Sequence, residues 1–135
     1  MKLFNIYTNY DSITFLACNN IKDILNKLNA IEIEANAIDY DPKFENSQWY
    51  QCKDFVFDDV NYHSELVVHM NCEKTYPYIK HYGDVILIGD NEEHSGDCNP
   101  VYSTQQLINQ YQLKQVYQEH IVEGQKNHYI VWGKI

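Results

Sequence analysis

Histidine and carboxylate spacing offers the first candidate chemistry. In an extended segment, side chains two residues apart share a face, so His63, Glu65, Val67 and His69 line one side of a strand around Leu66–Met70. Histidine with glutamate is a common pairing for a divalent metal. A rise of about 3.3 Å per residue puts His63 and His69 roughly 20 Å apart, too far for one ion. His63 and Glu65 would need further ligands such as His81 or His94, and a catalytic zinc needs three protein ligands. The plainer reading is a solvated polar face opposite core residues Tyr62, Leu66, Val68 and Met70.

Two other constellations fail on spacing or context. The loop Asp90-Asn91-Glu92-Glu93-His94-Ser95-Gly96-Asp97-Cys98 has the acidity of a calcium loop. The sixth position counted from Asp90 holds Ser95 instead of glycine, and the twelfth holds Val101 instead of glutamate. Cys98 lies near His94, and a thiolate beside an imidazolium is reactive, but no family-specific context surrounds the pair. There is no G-x-S-x-G, G-x-G-x-x-G or G-x-x-x-x-G-K-[ST] motif. On these grounds no catalytic residue, no metal ligand and no cofactor is expected.

Charge is more informative. The chain of 135 residues carries a formal net charge of −9, and all ten of its basic residues are lysines. Arginine supplies the planar fork that grips phosphate and reads guanine, so its absence, with the overall repulsion of a polyanion, argues against direct nucleic-acid binding. The segment from Asp39 to Glu65 holds seven acids against Lys43 and Lys53, a sum of −5. The segment from Asp84 to Asp97 holds five acids and no base, another −5, which leaves +1 for the rest. The first segment also carries Tyr40, Phe44, Trp49, Tyr50, Phe55, Phe57 and Tyr62.

Acids mixed with aromatics suit a protein-binding surface, because aromatics anchor and a one-sign field steers a basic partner. The residues expected to form it are Asp39, Asp41, Glu45, Trp49, Tyr50, Asp54, Asp58, Asp59, Glu92, Glu93 and Asp97. The function this favours is a small non-enzymatic inhibitor that occludes a basic partner protein, a nuclease or other nucleic-acid-handling protein, in the manner of an immunity or phage anti-defence protein. A metal-binding protein or enzyme using His63 and Glu65, and a self-associating structural subunit with exposed strand edges, are the alternatives.

The elements that must position these residues can be sketched from periodicity. Leu3–Thr8 and Ser12–Cys18 read as a β-hairpin about Asn9-Tyr10-Asp11. Ile21, Ile24, Leu25 and Leu28 give a helix with Asn19 or Asn20 as cap and Asn29 as a left-handed stop. Residues 31–38 alternate as a half-buried strand, Asp54–Phe57 suggests a short one, and Leu66–Met70 and Asp84–Gly89 two more. Ser103 and Gln106 have capping-box spacing for a second helix buried through Leu107, Ile108 and Tyr111. Strands at Lys114–Val122 and Asn127–Gly133 flank the turn Glu123–Lys126. The expectation is one α+β domain over 1–135, with an antiparallel or mixed sheet of about six to seven strands and two helices packed on one face.

Cys18, Cys52, Cys72 and Cys98 have no paired spacing and are expected to be reduced thiols. No apolar run approaches a membrane span and no signal peptide is recognised, which sets a cytoplasmic expectation.

Overall fold

The computed structural model describes all residues except 42–49, 57–62, 82 and 93–97. Among the described residues the chain makes helices α1 (Leu3–Tyr7), α2 (Lys22–Ala30) and α3 (Thr104–Gln110). It also makes strands β1 (Ser12–Leu16), β2 (Glu34–Asp39), β3 (Tyr50–Cys52), β4 (Leu66–His69), β5 (Asp84–Asp90), β6 (Gln115–Val122) and β7 (His128–Lys134).

The expected opening hairpin is replaced by α1. Leu3, Ile6, Tyr7 and Tyr10 stand at i, i+3, i+4 and i+7, and all four pack into the same core as Phe15. An apolar run this short satisfies both periods, and packing against β1 decides for the helix. Tyr7 meets Phe15 edge-on with ring centroids 5.4 Å apart. With no strand to pair before it, β1 is free to lie in the middle of a sheet.

That sheet has the order β3-β2-β1-β4-β5-β7-β6. β1 pairs in parallel with β2 on one side and β4 on the other, β3 extends β2 in parallel, and β5 extends β4. β7 then inserts antiparallel to β5, with β6 antiparallel at the edge. The chain winds outward from β1 through β2 and β3, then returns to the other side of β1 with β4. The junction of β1 and β4 is therefore a topological switch point.

Two cores cover the two faces. Ile13, Phe15, Ala35, Ala37, Leu66, Val68 and Ile86 pack with α1 and with Leu25 and Leu28 of α2. Leu16, Val67, Val85, Leu87 and Val131 pack on the other face with Leu107 and Tyr111 at α3. This corrects the expected α+β arrangement with both helices on one face: the mostly parallel sheet is covered on both sides. Val67 and His69, expected on a solvated face, are fully buried for the same reason. A parallel strand with helices on both faces has no wet side.

Local stops follow backbone chemistry. α2 runs past Asn29 and ends in a Schellman motif, with Ile33 N–H donating to Leu28 O at 3.0 Å and Glu32 N–H to Asn29 O at 3.1 Å. Glu32 holds the left-handed position at φ 64°. Asn29 instead ties the helix to β2, its side chain accepting from Ala35 N at 3.4 Å. The cap of α3 is as expected, with Gln106 N–H donating to Ser103 Oγ at 3.0 Å. The short strand expected at Asp54–Phe57 lies earlier, at Tyr50–Cys52.

Candidate functional site

In open α/β sheets, ligands bind outside the carboxyl ends of the strands at the switch point. β1 ends at Leu16 and passes to α2 through Ala17-Cys18-Asn19-Asn20-Ile21. Ala17 at φ 49° and Asn19 at φ 53° are both left-handed. Glycine usually fills such positions, and the fingerprint loop of nucleotide-binding sheets places its first two glycines two residues apart. Here two left-handed positions at that spacing are filled without glycine. The Ala17 side chain packs into one core, and Cys18 and Ile21 into the other. Only Asn19 and Asn20 remain exposed.

Neighbouring strands hold the loop. Asp39, the last residue of β2, is buried, and its Oδ2 accepts from Asn19 N–H at 3.0 Å. Its Oδ1 accepts from Asp41 N–H at 3.0 Å. Each oxygen keeps a further lone pair for a ligand hydroxyl. From β3, the buried Tyr50 hydroxyl accepts from Ile21 N–H at 2.7 Å and donates to Asn19 O at 3.0 Å. Asn19 is thus gripped at its N–H by β2 and at its carbonyl by β3. From the β4 side, Asn71 Nδ2 donates to Ala17 O. Burial, with the nearby Cys18 and Asp39, raises the Tyr50 pKa and keeps the hydroxyl protonated as the donor this clamp needs.

Beside the loop lies a cavity of about 200 Å³ lined by Tyr40, Asp54, Phe55, Val56, Lys74, Thr75, Tyr76 and Cys98. Tyr40 follows β2, residues 54–56 follow β3, residues 74–76 follow β4 and Cys98 follows β5. The described walls are therefore drawn from the connections that leave the strands' carboxyl ends. Asp54 is fixed by a short turn, its Oδ1 accepting from Val56 N–H at 3.1 Å.

Under the cavity floor sits His69. Its Nε2 bonds Thr75 Oγ1 at 2.8 Å and its Nδ1 accepts from Asn71 N–H at 3.4 Å, which makes Nε2 the protonated nitrogen. Phe55 and Tyr111 stand edge-on to the ring at 5.1 and 6.2 Å. Burial lowers its pKa to about 3, so the imidazole is neutral and orients the β4 loop. Burial also raises Cys18 to about 12, aided by Asp39, and raises Cys72, so neither is a ready thiolate.

Of the residues expected from sequence, Asp39, Asp41, Tyr50 and Asp54 come together at this crevice. Glu92 lies just past β5 and pairs with Lys126 at 3.0 Å, which also reaches Asp90 at 3.2 Å. Glu45, Trp49, Asp58, Asp59, Glu93, Asp97 and His94 lie outside the described residues. His63 and Glu65 sit at the opposite, amino end of β4, where Glu65 Oε1 accepts from Asp11 N–H at 2.6 Å. Among the described residues no group of three or more His, Cys, Asp or Glu could hold a metal ion. Sequence reasoning missed Ala17, Asn19 and Tyr40. One signal was present: an acid ending a strand 20 residues after Asn19, the spacing of a ribose-binding carboxylate in nucleotide-binding sheets.

The fold is Rossmann-like: a seven-stranded mixed sheet, mostly parallel, with an antiparallel strand inserted before the edge, an architecture shared with solved methyltransferases. The chain is similar in structure to the N-methyltransferase NodS from Bradyrhizobium japonicum WM9, solved with S-adenosyl-L-homocysteine. The TM-score is 0.65 at 9% identity, covering 98% of this chain and 83% of that one. It is also similar to the S-adenosylmethionine-dependent methyltransferase SibL in its apo form, with TM-score 0.64, 8% identity and 96% of this chain covered. Human N-acetylserotonin methyltransferase in complex with SAM gives TM-score 0.54 at 7% identity over 93% of this chain. The chain spans 51% and 47% of the latter two. No protein-family model and no curated protein sequence matches it.

These likenesses overturn the expectation of a non-enzymatic, immunity-type or anti-defence inhibitor directed at a basic partner protein. Each of these structures is a methyltransferase, not an inhibitor or an immunity protein. Acidity and absent motifs misled because a site can be built from backbone path and one buried carboxylate, and neither leaves a motif. Among the described residues no helix is long and apolar enough to cross a membrane.

Proposed function

We propose that this chain binds S-adenosylmethionine at the carboxyl ends of β1 to β4 and transfers its methyl group to a small acceptor. The observation that carries the reading is the Asp39 carboxylate hydrogen-bonded to the left-handed loop at the switch point, beside a cavity walled by strand ends. The residues fit the cofactor: the side chains of Ala17, Cys18 and Ile21 turn into the cores, which keeps them out of the space beyond the strand ends. Asp39 would take the ribose hydroxyls through its remaining lone pairs. Tyr40, Phe55 and Val56 offer apolar walls to the purine, and Asp54 an acceptor for its amino group.

When bound, the cofactor supplies a methyl group activated by a positively charged sulfur. The chain's own residues bind and orient. The carboxylates of Asp39, Asp41 and Asp54 make the crevice favourable to a cation, and Tyr50 with Asn71 keeps the loop in one conformation. His69 holds its proton on Nε2 against Thr75 and fixes the β4 loop beneath the cavity. Positioning of two reactants is itself a large source of rate. Four free cysteines support a reducing, cytoplasmic setting.

Titration calorimetry with S-adenosylhomocysteine tests the reading. Saturable binding to the wild type is expected, weakened about tenfold or more in Asp39→Ala, the loss of charge-assisted hydrogen bonds. A wild type that binds neither this compound nor S-adenosylmethionine would sink the proposal.

A further inference from the structure

We propose that the polar face of the β1–β2–β3 half of the sheet is a second ligand site, for a small polyol or amino-polyol. A covered parallel sheet is normally apolar on both faces. On one face of these strands the rule holds, with Ile13, Phe15, Ala35, Ala37 and Tyr50 in the core. On the other, Ser12, Thr14, Glu34, Asn36 and Gln51 line a cavity of about 240 Å³ together with Ile38, His63 and Ser64. Register makes them one surface: Ser12 lies opposite Glu34, Thr14 opposite Asn36, and Ile38 opposite Gln51. Neighbouring strands are about 4.8 Å apart and alternate residues about 6.6 Å, so these groups span one small molecule.

Their hydrogen-bonding state separates scaffold from recognition. Thr14 Oγ1 and Ser64 Oγ bond each other at 2.5 Å, and Ser12 Oγ accepts from Glu65 N–H at 2.9 Å. The Glu34 carboxylate, the Asn36 and Gln51 carboxamides and the His63 imidazole engage no partner among the described residues. Four different polar groups gather on one concave surface, with Glu34, Gln51 and His63 exposed and accessible to a ligand.

The ligand class follows by exclusion and by match. Among the described residues no lysine lines the cavity, and the chain contains no arginine, which disfavours an anion. Ile38 is the one apolar wall among the described lining residues, which disfavours a hydrophobic ligand. Among the described residues no group of three His, Cys, Asp or Glu could hold a metal ion. Each carboxamide offers a donor beside an acceptor, and a carboxylate accepts two bonds, an arrangement that matches adjacent hydroxyl or amino groups. The site lies on the strand faces, whereas the cofactor crevice lies beyond the strand ends, so it does not rest on the methyltransferase reading.

The test titrates the isotope-labelled full chain with sorbitol, glucamine and sorbitol phosphate while following the side-chain amide NMR signals of Asn36 and Gln51. Saturable shifts are expected for glucamine and sorbitol. Glucamine should be favoured about twofold to fivefold through Glu34, the size of an exposed ion pair, and the phosphate should be weakest. Glu34→Gln should bring glucamine level with sorbitol without unfolding the chain, as the residue is exposed. Gln51→Leu should weaken both and leave binding of S-adenosylhomocysteine unchanged. Shifts that never saturate, or a phosphate that binds as well as the neutral polyol, would overturn the proposal.

Discussion

Removing one oxygen atom, in Tyr50→Phe, tests how this loop is built without glycine. The hydroxyl serves two backbone groups, accepting from Ile21 N–H at 2.7 Å and donating to Asn19 O at 3.0 Å. Asn19 is exposed, so its carbonyl can turn to water, at a net loss of about 1 kcal/mol. Ile21 is buried, and its N–H would lose its partner at a cost of about 1–3 kcal/mol. The sum, about 2–4 kcal/mol, is below the usual stability of about 5–15 kcal/mol, so the variant should fold. Urea unfolding should show that loss with an unchanged slope.

Ligand binding should fall as well. A left-handed residue other than glycine costs about 1–2 kcal/mol, so a loop with Ala17 and Asn19 in that region relaxes once the clamp is cut. If the competent loop becomes a minor conformer, the dissociation constant for S-adenosylhomocysteine rises by the same factor, about tenfold. A variant that loses less than about 0.5 kcal/mol would show that the hydroxyl does not hold the loop, and the reasoning would be refuted.

The remaining predictions concern pH, a half-buried polar cluster and backbone packing. His69 titrates near 3 when folded and near 6.5 when unfolded, so the unfolded chain binds the extra proton in between. Its contribution is present above about pH 6.5 and lost as pH falls towards 3, with a slope of up to about 1.4 kcal/mol per pH unit. Urea titrations of wild type and His69→Gln across that window should differ in slope, and parallel profiles would exclude this role. Asp84 accepts from Tyr10 at 2.7 Å and Tyr117 at 2.9 Å, while Trp132 Nε1 donates to Tyr10 at 3.0 Å. Asp84→Ala should cost about 1–3 kcal/mol. Asp84→Asn should lower the Tyr117 pKa, which its hydrogen bond to that carboxylate now raises, and absorbance titration of phenolate reads this directly. A Cβ at Gly133 would meet the backbone oxygen of Gln115 across the β6–β7 ladder, so Gly133→Ala should lower stability by about 1–3 kcal/mol in thermal unfolding.

Legibility of the fold tracked the length and bordering of each signal. Val85–Ile88 is continuously apolar, and it became the buried strand that pattern implies. The capping pair Ser103 and Gln106 marked α3 because a cap is a local hydrogen bond. Leu3–Tyr7 was ambiguous, since five residues fit both periods and only contact with β1 separates them. In the crevice, Asp39, Asp41, Tyr50 and Asp54 were singled out, but for steering a protein partner. Their convergence on one loop depends on strand order, which no spacing rule reveals.

By itself the sequence determined the charge, the absence of arginine, the late strands and α3, all set by composition or by contacts within a few residues. Tertiary structure alone decided that β1 lies in the middle of a parallel sheet, and with it the switch point. It also decided that Ala17 and Asn19 adopt left-handed backbone, because hydrogen bonds from Asp39, Tyr50 and Asn71 offset the strain that glycine would have avoided. Strain of that kind is balanced by groups far away in the chain, so it leaves no trace in the local sequence.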